Sequence, residues 1–344
     1  MTLLTDKYGE VPSRDLESYD GICTLVDADL LVYRVGFAGQ TKTYTVKDPS
    51  GASNSSTFDK KKEAVAHCDM FHLDPDTSIK ENVYADDLDL LKARMDTMLD
   101  KIRDDVHREV NIAMTDTRAL AMTEYLFLTG CGEQPNFRDE VEPSYKANRA
   151  PNSKPHHYLG LREFLGTKAN CVSSEGAEAD DYLGPAAKDV RRVLPDSVPI
   201  IVSLDKDLDM IPGWHYNFVK ETLYHQSEME AVRFFFLQML MGDNADNIKA
   251  LHKVGPVKAN KILDNAAGAL DPFSADQEQI DAWYEECRSQ YTNHFGTAAE
   301  SKWNINCDLL WIWRSMPDDC PFKIQPAVEE VESVDGLDGI PHQE

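Results

Sequence analysis

Val198–Gly213 reads VPIIVSLDKDLDMIPG. Its first five residues, Val198–Val202, are a near-continuous apolar run containing β-branched side chains, as in a strand covered on both faces of a parallel sheet. Asp205 and Asp207 follow directly. Ile22–Val26 (ICTLV) has the same character and ends at Asp27, with Asp29 close behind. Glu124–Thr129 (EYLFLT) reads as a second core strand and ends at Gly130. Parallel strands present all their C-terminal ends along one edge, so carboxylates that follow different strands converge there.

Helical periodicity fills the intervals. Leu88, Leu91, Met95, Met98, Leu99, Ile102 and Val106 recur at helical spacing within Asp86–Arg108 and predict an amphipathic helix. Leu159–Leu165 and Glu178–Lys188 predict two more. Residues 40–60 carry a period-2 stretch and then Pro-Ser-Gly-Ala-Ser-Asn-Ser-Ser, which reads as a hairpin or a flexible excursion from the core. Ser144–Pro155 is polar and basic, hence a loop or an exposed helix. Beyond Tyr224 the pattern turns helical, at Glu228–Met241, Val257–Leu263 and Gln277–Tyr291, with Trp303, Trp311 and Trp313 as core residues. Strands alternating with helices, followed by a helical half, predict an α/β domain and then a helical lobe. The expected divisions are an N-terminal extension (1–20), an α/β core (21–225), a helical lobe (226–322) and an acidic disordered tail (323–344).

The composition narrows the class. A chain of 344 residues with 42% hydrophobic residues buries a sizeable core. Its seven Cys are dispersed without a CxxC pair, which argues for reduced thiols and against a disulfide framework or a zinc site. The N-terminus lacks the pattern of a signal peptide, and apolar runs such as Phe234–Leu237 are far too short to span a bilayer, so a cytoplasmic protein with no membrane partner is expected. A net charge of −25 speaks against a polyanionic partner, yet the positive charge is concentrated. Pro143–Arg162 holds Lys146, Arg149, Lys154 and Arg162 and no acidic residue; Ile248–Leu263 holds Lys249, Lys253, Lys258 and Lys261 and again none. Solvated helix faces would look the same on charge alone.

Four acidic groups stand where chemistry would need them: Asp27 with Asp29; Glu178, Asp180 and Asp181 in GAEADDYLG; Asp205 and Asp207; and Asp243 and Asp246 in MGDNADNI. Gathered carboxylates raise one another's pKa unless cations neutralise them. Hard divalent ions with oxygen ligands, Mg²⁺ or Mn²⁺, suit such a donor set. Two such ions about 4 Å apart activate water and stabilise the leaving oxygen of a phosphodiester. Taken singly, most of these groups are better explained as turns or helix caps. The ordered combination is far more specific.

That combination, VDAD (Val26–Asp29), SYKANR (Ser144–Arg149), EGAEADD (Glu175–Asp181), SLDKDLDMI (Ser203–Ile211) and GDNADNI (Gly242–Ile248), resembles the 5′-nuclease superfamily of flap endonucleases and polymerase I 5′→3′ exonuclease domains, and most of all the bacteriophage 5′→3′ exonucleases. The likeness runs from about Ile22 to Leu263. It implies a PIN-like α/β core, with a central mostly parallel sheet, helices on both faces and an arch around 137–157. It implies two metal ions held by Asp27, Glu178, Asp180, Asp181, Asp205, Asp207, Asp243 and Asp246. Lys146 and Arg149 would meet the scissile phosphate, Tyr145 would stack on a terminal base, and Asn148 would contact DNA. LHKVGPVKANKIL resembles a helix–two-turn–helix gripping one DNA strand through Lys253, Gly255 and Lys258, with a monovalent cation between turn and phosphate. The implied partner is DNA, as duplex 5′ ends, flaps and RNA–DNA hybrids, with replication or recombination proteins as candidates for the acidic tail, in the host cytoplasm if the chain is phage-encoded.

Two departures from the family pattern stand out. Family members often carry another Asp after the second core strand, where this chain has Gly130; Asp116 would substitute only if VNIAM were the core strand. Of the family's turn glycines only Gly255 is kept. Three alternatives compete. A haloacid-dehalogenase-like phosphatase would use Asp27, Asp29, Ser203 and the GDNADN segment, but gives EADD, DKD and SYKANR no role. A structure-specific DNA-binding protein without catalysis would fit the Gly130 departure. A PIN-type RNA nuclease would share the acidic edge, but is usually shorter and lacks the DNA-gripping lobe.

Overall fold

The computed structural model describes residues 7–12, 14–47, 55–115, 119–130, 134–149, 154–268, 276–316 and 318–325. In chain order the elements are β1 (Gly21–Asp27), α1 (Ala28–Ala38), β2 (Gln40–Lys47), β3 (Ser55–Phe58), α2 (Lys61–Met70), α3 (Pro75–Ser78), β4 (Ile79–Ala85), α4 (Leu88–Met114), β5 (Ala121–Leu128), α5 (Phe137–Val141) and α6 (Tyr158–Gly166). There follow β6 (Cys171–Ser173), α7 (Asp180–Val193), β7 (Ser197–Val202), β8 (Gly213–Asn217), β9 (Thr222–Gln226), α8 (Glu228–Met241), β10 (Gly242–Asp243), β11 (Ile248–Lys249), α9 (Pro256–Ala267), α10 (Asp276–Phe295) and α11 (Ala299–Leu310).

The central sheet has the order β6-β5-β1-β7-β8-β9, parallel throughout except for β9. The three strands legible in the sequence are its middle. Val26 is level with both Leu126 and Val202, so β1, β5 and β7 end side by side at one edge. Every residue of β1 is buried, which explains why its apolar run does not alternate. Ile22 and Val26 face a cluster with α1, α4 and α6, whereas Cys23 and Leu25 face α7, α8 and the helical half. Trp303 and Trp311 lie in that second cluster, as expected of core residues.

Local rules set the helix starts. Ser227 and Glu230 form a reciprocal capping box that opens α8, with Glu230 N donating to Ser227 Oγ and Ser227 N to the Glu230 carboxylate. Helix α4 runs 27 residues through VNIAM, so EYLFLT is the core strand and Asp116 follows a helix; Asp116 itself lies outside the described residues. The excursion at 40–60 supplies two strands, and β4 joins them in an antiparallel sheet of order β3-β2-β4 with a small core of Val46, Ala64 and Cys68. Residues 326–344, most of the expected acidic tail, lie outside the described residues. No described helix is long and apolar enough to cross a membrane.

Candidate metal and phosphate site

The edge where β1 and β7 end carries the chemistry. Asp27 closes β1 at 3% exposure, and Ser203, one residue beyond β7, donates from Oγ to Asp27 Oδ2 at 2.9 Å. The same Oγ accepts from Asp205 N, and Asp205 in turn caps a 3-10 turn, Lys206–Met210, by accepting from Asp207 N at 2.9 Å. Glu178 and Asp180 arrive at the start of α7, which is tied to the end of β5 by Ala179 N donating to Thr129 Oγ1. Asp243 and Asp246 come from the β10–β11 hairpin behind α8. Gly242 is obligatory there: its φ is +71°, and a Cβ would lie 2.3 Å from Ile248 O.

Two adjoining cavities open on this edge and share Glu178, Asp180, Asp205, Lys146 and Arg149. One adds Asp27 and Asp29, the other Asp207, Asp243 and Asp246. Burial, reinforced by Asp29 and Asp205, pushes the Asp27 carboxyl up to about 7. Burial and the charges of Asp27, Asp205 and Glu178 raise Asp180 well above the usual carboxylate range. Asp207 rises to about 6, through burial and Asp205. Glu178 and Asp243 go the other way: burial would raise them, but Lys146 and Arg138 hold Glu178 down and Lys206 holds Asp243 down. Asp27, Asp180 and Asp205 make no ion pair among the described residues, the electrostatic condition that a bound divalent cation relieves. Among the described residues no group of three or more His, Cys, Asp or Glu side chains is already arranged to hold a metal ion.

The SYKANR segment is stapled to the acidic hairpin. Lys146 N donates to Asp246 O at 2.9 Å, Asn148 Nδ2 to Asn244 O at 2.7 Å, and Asn247 Nδ2 to Ser144 O at 2.7 Å. This brings the Lys146 ammonium onto Glu178 and to 3.5 Å from Asp246 Oδ2, while Arg149 Nη2 lies 2.6 Å from Asp246 Oδ1. Both cations expected at the scissile phosphate thus stand beside the carboxylates. The described parts of 137–157 form a five-residue helix, which packs on α11, and turns, of which Ser144–Asn148 lie against this hairpin.

Two sequence expectations change. Tyr145 is 6% exposed, and its hydroxyl lies 3.2 Å from Glu178 Oε2 and 3.1 Å from Asp246 Oδ2, so it braces carboxylates and has no open face for a terminal base. Asp181 is fully buried and paired through both oxygens to Arg138, one of the two contacts at 2.8 Å; Arg138 also donates to Leu309 O and Trp311 O. With its charge used in locking α7 to the helical half, Asp181 leaves the expected ligand set. Gly255 has an ordinary φ of −103° and open space where a Cβ would go; the left-handed positions around the turn belong to Asn247 and Lys253, both at φ +60°. Lys253 and Lys258 are exposed at the start of α9, beside backbone N–H groups suited to phosphate.

The Gly130 departure has a steric cause. Gly130 N donates to Ser174 Oγ, and a Cβ would fall 1.8 Å from Ser174 O, so no carboxylate fits at this position. Asp29 occupies the neighbouring space, accepting from Thr129 N at 2.7 Å and pairing with Arg162, which also donates to Thr129 O. Arg138, Lys206 and the Asp29–Arg162 pair are site residues whose roles have no local sequence signal, because each depends on a partner brought in by the fold.

No family model matches the chain. Curated relatives do: DNA polymerase I of Pseudomonas aeruginosa is 31% identical over 163 residues, 42% of this chain. The exonuclease of Escherichia phage T7 is 27% identical over 46% of the chain, and flap endonuclease Xni of a Shewanella species is 28% identical over 38%. The resemblance is to 5′-nucleases. The chain spans 17% of the polymerase and about half of the other two, at 53% and 54%. Among solved structures, the T5 D15 protein co-crystallised with metal ions is 15% identical and covers 84% of this chain and 98% of its own, with a TM-score of 0.38. At that score the likeness adds nothing to the topology described above.

Proposed function

We propose that this chain is a divalent-metal-dependent 5′→3′ exonuclease and flap endonuclease, hydrolysing phosphodiester bonds near DNA 5′ ends. The observation that carries the reading is the gathering of Asp27, Glu178, Asp180, Asp205, Asp207, Asp243 and Asp246 on one sheet edge with Lys146 and Arg149 beside them. Asp27, Asp180, Asp205 and Glu178 would hold one Mg²⁺ or Mn²⁺, and Asp207, Asp243 and Asp246 a second. When bound, the ions supply an activated water and charge stabilisation for the departing oxygen. Lys146 and Arg149 exchange their carboxylate partners for the scissile phosphate and favour its developing charge. Tyr145 fixes the Glu178 and Asp246 carboxylates, and Ser203 orients Asp27.

Lys253, Lys258 and the backbone around Gly255 would hold one strand by its phosphates, with a monovalent cation at the turn; such contacts position DNA without reading its sequence. Asn148, spent on the hairpin, would act on DNA by keeping Lys146 and Arg149 in place. RNA–DNA hybrids fit the same backbone recognition, and the acidic tail is a candidate contact for replication or recombination proteins. The phosphatase alternative is disfavoured because GDNADN follows a helix and Glu178 and Asp180 share the site. The test is cleavage of 5′-labelled and 3′-labelled duplex and flap DNA with Mg²⁺ or EDTA. Mg²⁺-dependent loss of the 5′ label is expected; intact, bound DNA would favour a non-catalytic binding protein instead.

A further inference from the structure

The two halves of the acidic edge are balanced differently. Asp27, Asp180 and Asp205 have no ion pair among the described residues, whereas Asp207 and Asp243 share one cation. The Lys206 Nζ lies 2.7 Å from Asp207 Oδ1 and 2.9 Å from Asp243 Oδ2. The other Asp243 oxygen accepts from Ala245 N at 2.7 Å, and Asp207 Oδ1 also accepts from Gln238, a side chain 2% exposed. The ammonium therefore bridges two carboxylates from different elements, the turn behind β7 and the hairpin behind α8. A divalent ion joining those carboxylates needs the same space.

Resting on the nuclease reading, we propose that Lys206 is a resident counter-cation at the second metal position. An ion at Asp27, Asp180 and Asp205 meets no side-chain cation on those three carboxylates; of the four ligands proposed for it only Glu178 is paired, with Lys146. An ion between Asp207 and Asp243 binds only as the ammonium swings away, since the two cations cannot share so short a bridge. The Lys206 side chain is 61% exposed, so the ammonium has water to move into, while its partners Asp207 and Asp243 are 24% and 9% exposed and stay in the site. Gln238 stays behind to hold the Asp207 carboxylate in place. A DNA phosphate entering the site gives the displaced ammonium a new partner and the incoming ion further oxygen ligands, so loading of the second ion is coupled to substrate.

Mn²⁺ titration of the full chain without DNA, followed by the electron paramagnetic resonance signal of free Mn²⁺, tests this. The wild type is expected to bind one ion more tightly than the other. Lys206→Met and Lys206→Gln, both at an exposed position, tighten the weaker ion by about 3- to 5-fold, the scale of removing a weak competing ion pair, and leave the tighter one within about twofold. Second-ion affinity that is unchanged or weaker in both variants overturns the proposal while leaving the nuclease reading intact. A wild-type chain that binds no Mn²⁺ overturns both.

Discussion

Asp180 and Asp181 are chain neighbours with opposite electrostatic situations. Asp180 faces other carboxylates and is driven well above its usual range by burial and their charges. Asp181 meets a guanidinium that is 1% exposed. Asp181→Asn leaves Arg138 buried without its counter-charge and is expected to cost about 3–5 kcal/mol of stability. Asp180→Asn removes a repelled charge and should leave stability in EDTA unchanged or raised. Urea denaturation of both variants in EDTA checks this, and equal losses would contradict the assignment. The acidic residues themselves were legible in the sequence, as was their gathering at strand ends. Which of two adjacent Asp faces the site was not, because the deciding partner, Arg138, lies 43 residues away.

Among the elements, β1, β5 and β7 were readable because buried parallel strands are apolar runs punctuated by acids. Sheet β3-β2-β4 was only half readable: β4, IKENVYA, has no buried residue, so burial leaves little mark on its sequence. The turn before α9 was read through its glycine, but its left-handed position is held by Lys253, a conformation no composition rule assigns to Lys. If this element grips phosphates, Lys253→Ala combined with Lys258→Ala should weaken DNA binding equally for unrelated sequences. The slope of log affinity against log salt should shrink by about 0.9 per lost phosphate contact on duplex DNA. Fluorescence anisotropy across a salt series measures this; an unchanged slope would remove α9 from the interface.

For the whole molecule, the acidic edge couples folding to pH and, on the proposed reading, to metal. Asp27 and Asp207 have folded values raised to about 7 and about 6 from 3.8, so the native state keeps protons that the unfolded chain releases. Their contribution to stability is therefore greatest at acid pH and declines as pH rises from about 4 to 7. Glu178 and Asp243 are lowered, so their contribution is present above their unfolded values and lost as pH falls below them. Without divalent ions, the melting temperature should drop between pH 5 and pH 8 as far as this cluster governs it. Because metal ligands must be deprotonated, Mg²⁺ should raise the melting temperature more at pH 8 than at pH 5.5. Thermal melts with Mg²⁺ or EDTA decide it, and a larger gain at the lower pH would count against a metal at this edge.

The central claim is that these carboxylates hold the ions that cut DNA. Its most direct test is single-turnover cleavage of a 5′-flap substrate in Mg²⁺, comparing the wild type with Asp205→Asn, with DNA affinity of each measured in Ca²⁺. A fall of at least about 10²-fold in rate, with affinity changed only a few-fold, is the predicted result. Cleavage by Asp205→Asn at the wild-type rate would contradict it.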